Sequence, residues 1–395
     1  MAGSVRVPSS PDSSPDSSPA PLWLPSPTSP QSGLLVIALT RSIHNQPCPP
    51  SFAPPRTQGH GSKLDRQLKE WLQAVGPDNS DEPNTPTSYP IGGCKAVIAP
   101  HAGYAYSGPA AAWAYRCIDV QHIKRIFILG PSHHVALPGC ALSQCDEYAT
   151  PLGPLKLDKK TIAELAATGK FEWMDQQTDE EEHSIEMHLP YVRRIFEGRS
   201  DITLIPILVG SLSFISEKTY GTLLEPYLRS ADTLFVISSD FCHWGTRFGY
   251  TYFIPRHDLG VGEGHALTRG SSLGTGERCC SIDQSIERVD REGMRIITFN
   301  QNGKEEGGRT PRSAHEEFNA YLKQTRNTIC GRHPIGVLLG AMTSWAEREV
   351  EAEEGSEGVG GECRLVWTRY EQSERVKDLR GSSVSYASAF VGLSE

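Results

Sequence analysis

Lys95-Ala96-Val97-Ile98-Ala99-Pro100 is an apolar run that stops at a proline and opens into His101-Ala102-Gly103-Tyr104. Three more runs follow the same plan. Residues 125–130 lead into Pro131-Ser132-His133-His134, residues 202–210 end in glycine, and residues 233–238 lead into Ser239-Asp240-Phe241-Cys242-His243-Trp244. Each run is short, rich in Ile, Val, Leu and Phe, and followed by turn residues and then a helical pattern. Strands that are apolar on both faces need helices on both sides, which is the condition of a buried, largely parallel sheet. The expected fold is α/β: a single domain with a central sheet flanked by helices.

Working outward, helical spacing begins at Lys63, with Leu64, Leu68, Trp71, Leu72 and Val75 on one face. Further helices are predicted over 108–117, 158–167, 184–196, 216–228, 283–299, 313–326 and 334–345. Two strand-like runs, 364–370 and 383–391, close the chain and are expected at sheet edges, in a direction the pattern does not reveal. The Gly-rich stretches near 255–280 and 303–312 read as surface insertions, and the Glu-rich stretch 349–361 as a solvated loop.

Residues 1–60 differ from the rest. They hold nearly half of the chain's 29 prolines and a Ser-Ser-Pro-Asp repeat over Ser9 to Pro19, a composition that does not offset the entropy of ordering, so a disordered tail is expected. The folded domain is expected over 61–395. With 38 basic and 47 acidic residues among 395, the net charge is −9, which argues against a nucleic-acid partner. The longest apolar run near the N-terminus, Gly33 to Leu39, is far short of the roughly 20 residues that span a bilayer. The 10 cysteines form no CxxC pair or regular framework, which points to a reducing compartment, the cytoplasm with the nucleus as a second place open to it.

In open α/β sheets ligands bind beyond the carboxyl ends of the strands. Here those ends deliver His101, His133, Asp240 and His243. A single histidine at a strand end is more often a structural hydrogen-bonding residue. Three strands ending in histidine, with an acid beside the third, make a set suited to zinc, iron or copper. Two further segments add to it. In Glu182-His183-Ser184-Ile185-Glu186-Met187-His188, His183 and Glu186 share a helical face at i, i+3, and Glu186 and His188 are expected to support a bound cofactor. Cys330, in the turn Thr328-Ile329-Cys330-Gly331-Arg332-His333-Pro334, precedes a helix whose dipole favours a thiolate. No GxSxG, GxxxxGK[ST] or GxGxxG follows a strand, so serine hydrolase and nucleotide chemistry are not expected.

The stretches Ile98-Ala99-Pro100-His101-Ala102-Gly103-Tyr104, Ile126 to His134, His183 to Pro190, Ser238 to Gly245 and Thr328 to Gly336 together closely resemble the Memo family, named as mediators of receptor-driven cell motility. The resemblance runs in order from about Gly61 to Leu393. It implies the fold of class III extradiol dioxygenases, and an iron or copper ion held by His101, His133 and Cys330, with Asp240 and His243 lining the same pocket in acid–base roles. Related dioxygenases use two histidines and a carboxylate, so the thiol in third place favours copper or altered iron chemistry over ring cleavage. Family members open with a segment resembling Arg-Glu-Ala-x-His-Ala-Gly-Ser-Trp-Tyr; residues 41–60 replace it here, which reads as an altered start.

The leading expectation is a cytosolic metal-binding redox and signalling protein that reduces dioxygen to superoxide or sequesters copper. A second is a non-catalytic module that binds a peptide or protein partner in the same pocket. A third is a metal-dependent dioxygenase or hydrolase acting on a small molecule.

Overall fold

The computed structural model describes residues 42–43, 58–79, 82–83, 85–301, 309–353 and 362–393. The tail read over 1–60 lies outside these, apart from Ser42–Ile43, which pair antiparallel with Glu147–Tyr148, and the start of the helix Gln58–Ala74. Four parallel strands form the centre, in the order Cys94–Ala99, Thr233–Ser238, Arg125–Pro131, Thr203–Val209. All four are buried along nearly their whole length, as their apolar runs require. Phe127 and Phe235 stack across the ladder with ring centroids 4.6 Å apart.

Thr233–Ser238 is reached through the helix Phe214–Arg229 and inserts between the two earlier strands. That places the carboxyl ends carrying His101, Asp240 and His133 side by side, at the kind of crossover point where α/β sheets bind ligands. Antiparallel strands on both flanks make the ten-stranded sheet mixed: Ser383–Leu393 and Cys363–Gln372 on one side, Cys140–Leu142 on the other.

Three expectations are corrected. Ser383–Leu393 is an interior strand, flanked by Cys94–Ala99 and Cys363–Gln372; an apolar run states burial but not its neighbours. The helix expected over 184–196 is two short helices, His183–Glu186 and Leu189–Ile195, interrupted just before Pro190, whose ring removes a ladder N–H. The last long helix runs Arg332–Glu353, so residues 349–353 of the expected loop are helical, while 354–361 lie outside the described residues. Of the insertions, residues 302–308 lie outside the described residues. The stretch 255–280 contributes only short pairings, such as His265–Ala266 with Tyr252–Phe253.

The helix Arg332–Glu353 packs on Phe214–Arg229 at backbone distance: a Cβ on Gly221 would stand 2.4 Å from the Ala341 nitrogen. Only glycine permits this approach, and the crossing fixes where the helix start, and with it Cys330, meets the sheet. No described helix is long and apolar enough to cross a membrane.

Candidate metal centre

The first strand end is tied to the third through the backbone. His101 N–H donates to Asp240 Oδ1 at 2.9 Å and Ala102 N–H donates to the same oxygen at 3.3 Å. Burial raises the Asp240 carboxyl to about 6 against the pull of these two donors. The His101 ring is buried, with Nδ1 2.6 Å from Ser238 Oγ. Ser238 spends its one hydroxyl proton on the Ser184 carbonyl, at 2.7 Å. Nδ1 of His101 therefore carries the proton and donates, which leaves a lone pair on Nε2, 3.3 Å from Cys330 Sγ. Burial, then the surrounding histidines, push His101 well below the usual imidazole range, so the ring is neutral.

His133 is oriented by a carboxylate. Its ring Nδ1 lies 2.9 Å from Glu182 Oε1, and its backbone N–H donates to Oε2 at 2.8 Å. Ser184 N–H adds a third bond to Oε1, at 2.9 Å. Burial alone would raise the Glu182 carboxyl, but the His133 ring and these N–H groups hold it down at about 2. An ionised carboxylate only accepts, so His133 Nδ1 carries a hydrogen and donates, and Nε2 is turned away from the carboxylate. The His183 ring stacks on His133 at 4.4 Å and stands 5.6 Å from His101. Burial and then His133 lower His183 to about 4, so it too is neutral near pH 7.

Cys330 comes from the turn ahead of the last long helix. Asp240 N–H donates to its sulfur at 3.2 Å. Burial, followed by the Asp240 carboxylate, pushes the thiol well above its ordinary range. A bound cation reverses that preference, because coordination stabilises the thiolate. Ligand atoms of His101, His133 and His183 lie within 4.8 Å of one another, and so do those of His101, Asp240 and Cys330. The two groups share His101. His243 stands beside them with Nδ1 facing the carbonyls of Phe241, at 2.9 Å, and Thr328, at 3.1 Å. Carbonyls only accept, so Nδ1 carries the proton and Nε2 is the basic atom; burial lowers the ring to about 4.

Glu182 and Ser238 complete the arrangement without having been singled out by sequence reasoning, and His183, read there only as sharing a face with Glu186, stacks on His133. The available signal was the position of Glu182 as the N-cap of a helix that begins at a histidine. Glu186 and His188 are placed differently. Glu186 is half-buried, and His188 is buried with Nδ1 2.7 Å from the Tyr115 hydroxyl.

The turn itself leans on the sheet. A Cβ at Gly331 would stand 2.3 Å from both the Ser238 carbonyl oxygen and Ser239 Cβ. Gly331→Ala is therefore expected to lift Cys330 away from His101, at about 1–3 kcal/mol of overpacking. Metal affinity should fall by about tenfold or more, since each 1.4 kcal/mol is one decade. Metal titration with a parallel urea melt checks this; an unchanged affinity would mean that the turn does not set the sulfur position.

Comparison with known proteins identifies the family. A family model described as Memo-like protein matches residues 55–390. The chain belongs to the Memo family. Among relatives, Protein MEMO1 of Homo sapiens is 43% identical over 328 residues, covering 83% of this chain and 91% of that protein. Protein MEMO1 of Xenopus tropicalis has the same identity and coverage. Protein memo-1 homolog of Caenorhabditis elegans is 39% identical over 326 residues, covering 82% of this chain and 77% of that protein. As a Memo-family chain it has the mixed α/β sheet that the motifs implied, and the five motif stretches lie within the matched residues.

Proposed function

We propose that this Memo-family chain is a cytoplasmic metal-binding redox protein whose site takes copper or iron through His101, His133 and Cys330, with His183 and Asp240 at the margins of the donor set. One observation carries the reading. Two imidazoles have Nδ1 tied to a partner, His101 to Ser238 and His133 to Glu182, which turns each Nε2 away from that partner, and His101 Nε2 lies 3.3 Å from the Cys330 sulfur. Metal-ligating histidines are oriented in this manner, by a second hydrogen bond that fixes the tautomer. Nitrogen and sulfur donors together suit copper in both oxidation states, and also ferrous iron.

When bound, such a metal supplies one-electron chemistry, reducing dioxygen to superoxide, or is simply sequestered. The protein's own groups do the rest. Glu182 and Ser238 hold the imidazoles in register. Asp240, with its carboxyl near 6, gives up or takes a proton close to neutral pH. His243 Nε2, neutral at rest near pH 7, offers a lone pair as a weak base. A second reading, a recognition cleft for a peptide or small molecule with signalling use, is supported by Tyr106 and Val135, which are 51% and 39% exposed close in sequence to His101 and His133.

Elemental analysis of protein purified without added metal, followed by copper and iron titration, tests the proposal. The wild-type chain should carry or take up near-stoichiometric metal, and a His101→Ala, Cys330→Ser variant should bind none tightly. Equal, weak binding by both proteins would overturn the metal reading and leave the recognition cleft.

A further inference from the structure

A file of aromatic side chains lies outside the two donor groups described above. Tyr115 and His188 are each 1% exposed and share a 2.7 Å hydrogen bond. The Tyr115 ring stacks on Tyr191 with centroids 4.5 Å apart and planes 3° from parallel. Tyr191 meets Tyr104 at 6.0 Å, and Tyr104 meets Trp71 at 6.3 Å. Trp71 is half-buried, at the protein surface. Hydrogen bonds fix the file: Tyr104 donates to the Met187 carbonyl at 2.7 Å and Tyr191 donates to the Gly108 carbonyl at 2.7 Å. Two of its members lie near site residues in the chain: Tyr104 is three residues after His101, and His188 is five residues after His183.

The Tyr115–His188 bond has a readable direction. His188 Nε2 is buried and has no hydrogen-bond partner. If Nδ1 donated to the phenol, the phenolic proton and the Nε2 lone pair would both be left unsatisfied. If the phenol donates to Nδ1, only the Nε2–H is left over. The second arrangement leaves fewer buried groups unsatisfied and is the one the interior favours. Tyr115 thus carries its proton already aimed at a neutral base.

We propose that Tyr115 and His188 form a proton-coupled redox pair, and that Tyr191, Tyr104 and Trp71 connect it to the surface as an electron relay serving the neighbouring site. The oxidant is a one-electron oxidant of the oxidised-metal or radical class arising at that site. The Tyr115 O–H bond breaks: the electron goes to the oxidant and the proton goes to His188 Nδ1, giving a neutral tyrosyl radical beside an imidazolium. The radical is refilled through Tyr191 and Tyr104 from Trp71, which draws an electron from a small thiol in solution; the thiol's proton goes to water and a thiyl radical is left. As Tyr115 is reduced the proton returns from His188. Tunnelling falls off steeply with distance, and successive rings in near contact divide one long transfer into short ones. The relay would let a redox metal be discharged without oxidising Cys330, whose sulfur stands beside it.

The test needs no bound metal, so its failure is separate from failure of the metal-site reading. Full-length, metal-free protein is oxidised with photogenerated ruthenium(III) trisbipyridine, and the radical is followed by transient absorption and electron paramagnetic resonance. A tyrosyl signal is expected in the wild type, lost in Tyr115→Phe, which keeps the stacked ring. In His188→Leu its formation should slow about a hundredfold, the scale of a positioned proton acceptor, with loss of the solvent deuterium isotope effect. Trp71→Leu, at the surface end, should lower the yield at Tyr115 and serves if an interior variant fails to fold. An undiminished signal in Tyr115→Phe, or equal rates with and without His188, would overturn the proposal.

Discussion

Glu217→Ala is expected to destabilise the fold by about 3–5 kcal/mol, the range for removing one partner of a buried ionic pair. Glu217 lies in the first turn of the helix Phe214–Arg229 and is 6% exposed. Its carboxylate faces His315 Nε2 at 2.8 Å through one oxygen and His333 Nδ1 at 2.7 Å through the other. Burial would raise this carboxyl, but the two imidazoles outweigh it and hold it below its ordinary value. Alanine removes the acceptor of both rings and leaves His315, 1% exposed, facing a void. His333 also starts the helix that follows Cys330, so the metal turn loosens with it. The unfolding midpoint should fall by about 4–7 °C for a chain of this size. Thermal and urea unfolding check this, and a loss below about 1 kcal/mol would show that water replaces the carboxylate without penalty.

Glu182→Gln should lower metal affinity about 10- to 100-fold while leaving His101, His133 and Cys330 in the protein, the usual effect of removing a group that orients a ligating histidine. The amide cannot accept from His133 Nδ1, His133 N–H and Ser184 N–H together without turning its own NH₂ toward one of them. The same change alters acid stability. The folded carboxyl at about 2, against an ordinary 4.5, gives stability that is fully present above 4.5 and lost as pH falls through 2. Its size is on the order of 3 kcal/mol. Asp240 and Asp290, both raised to about 6, act with the opposite sign between 3.8 and 6. Comparing wild type with variant cancels their contribution. Urea melts of the metal-free proteins from pH 5 to 2 should show the difference shrinking with acid; a constant difference would place the role of Glu182 elsewhere.

Much of the site was legible because strands of a parallel sheet end where function begins. His101, His133 and Asp240 each follow an apolar run directly, and a run that must be buried announces its own end. Cys330 was legible through its turn and the resemblance. Glu182 was not, because its role depends on a helix break: a continuous helix over 184–196 would group His183 with Glu186, whereas the interruption at Met187 and His188 gives each short helix its own direction. Ser238 was hidden for a different reason. It is the last residue of a strand, and only contact with both His101 and Ser184 turns it from sheet into orienter.

The sequence by itself determined the α/β class, the four central strands, the His and Asp residues at their ends and membership of the Memo resemblance, because burial on both faces and carboxyl-end placement are properties of short segments. Tertiary structure alone decided that Ser383–Leu393 lies inside the sheet, that Glu182 holds His133, and that Tyr115 meets His188. Those facts join residues tens to hundreds of positions apart, and no local pattern carries information about a contact between segments that only the packed core brings together.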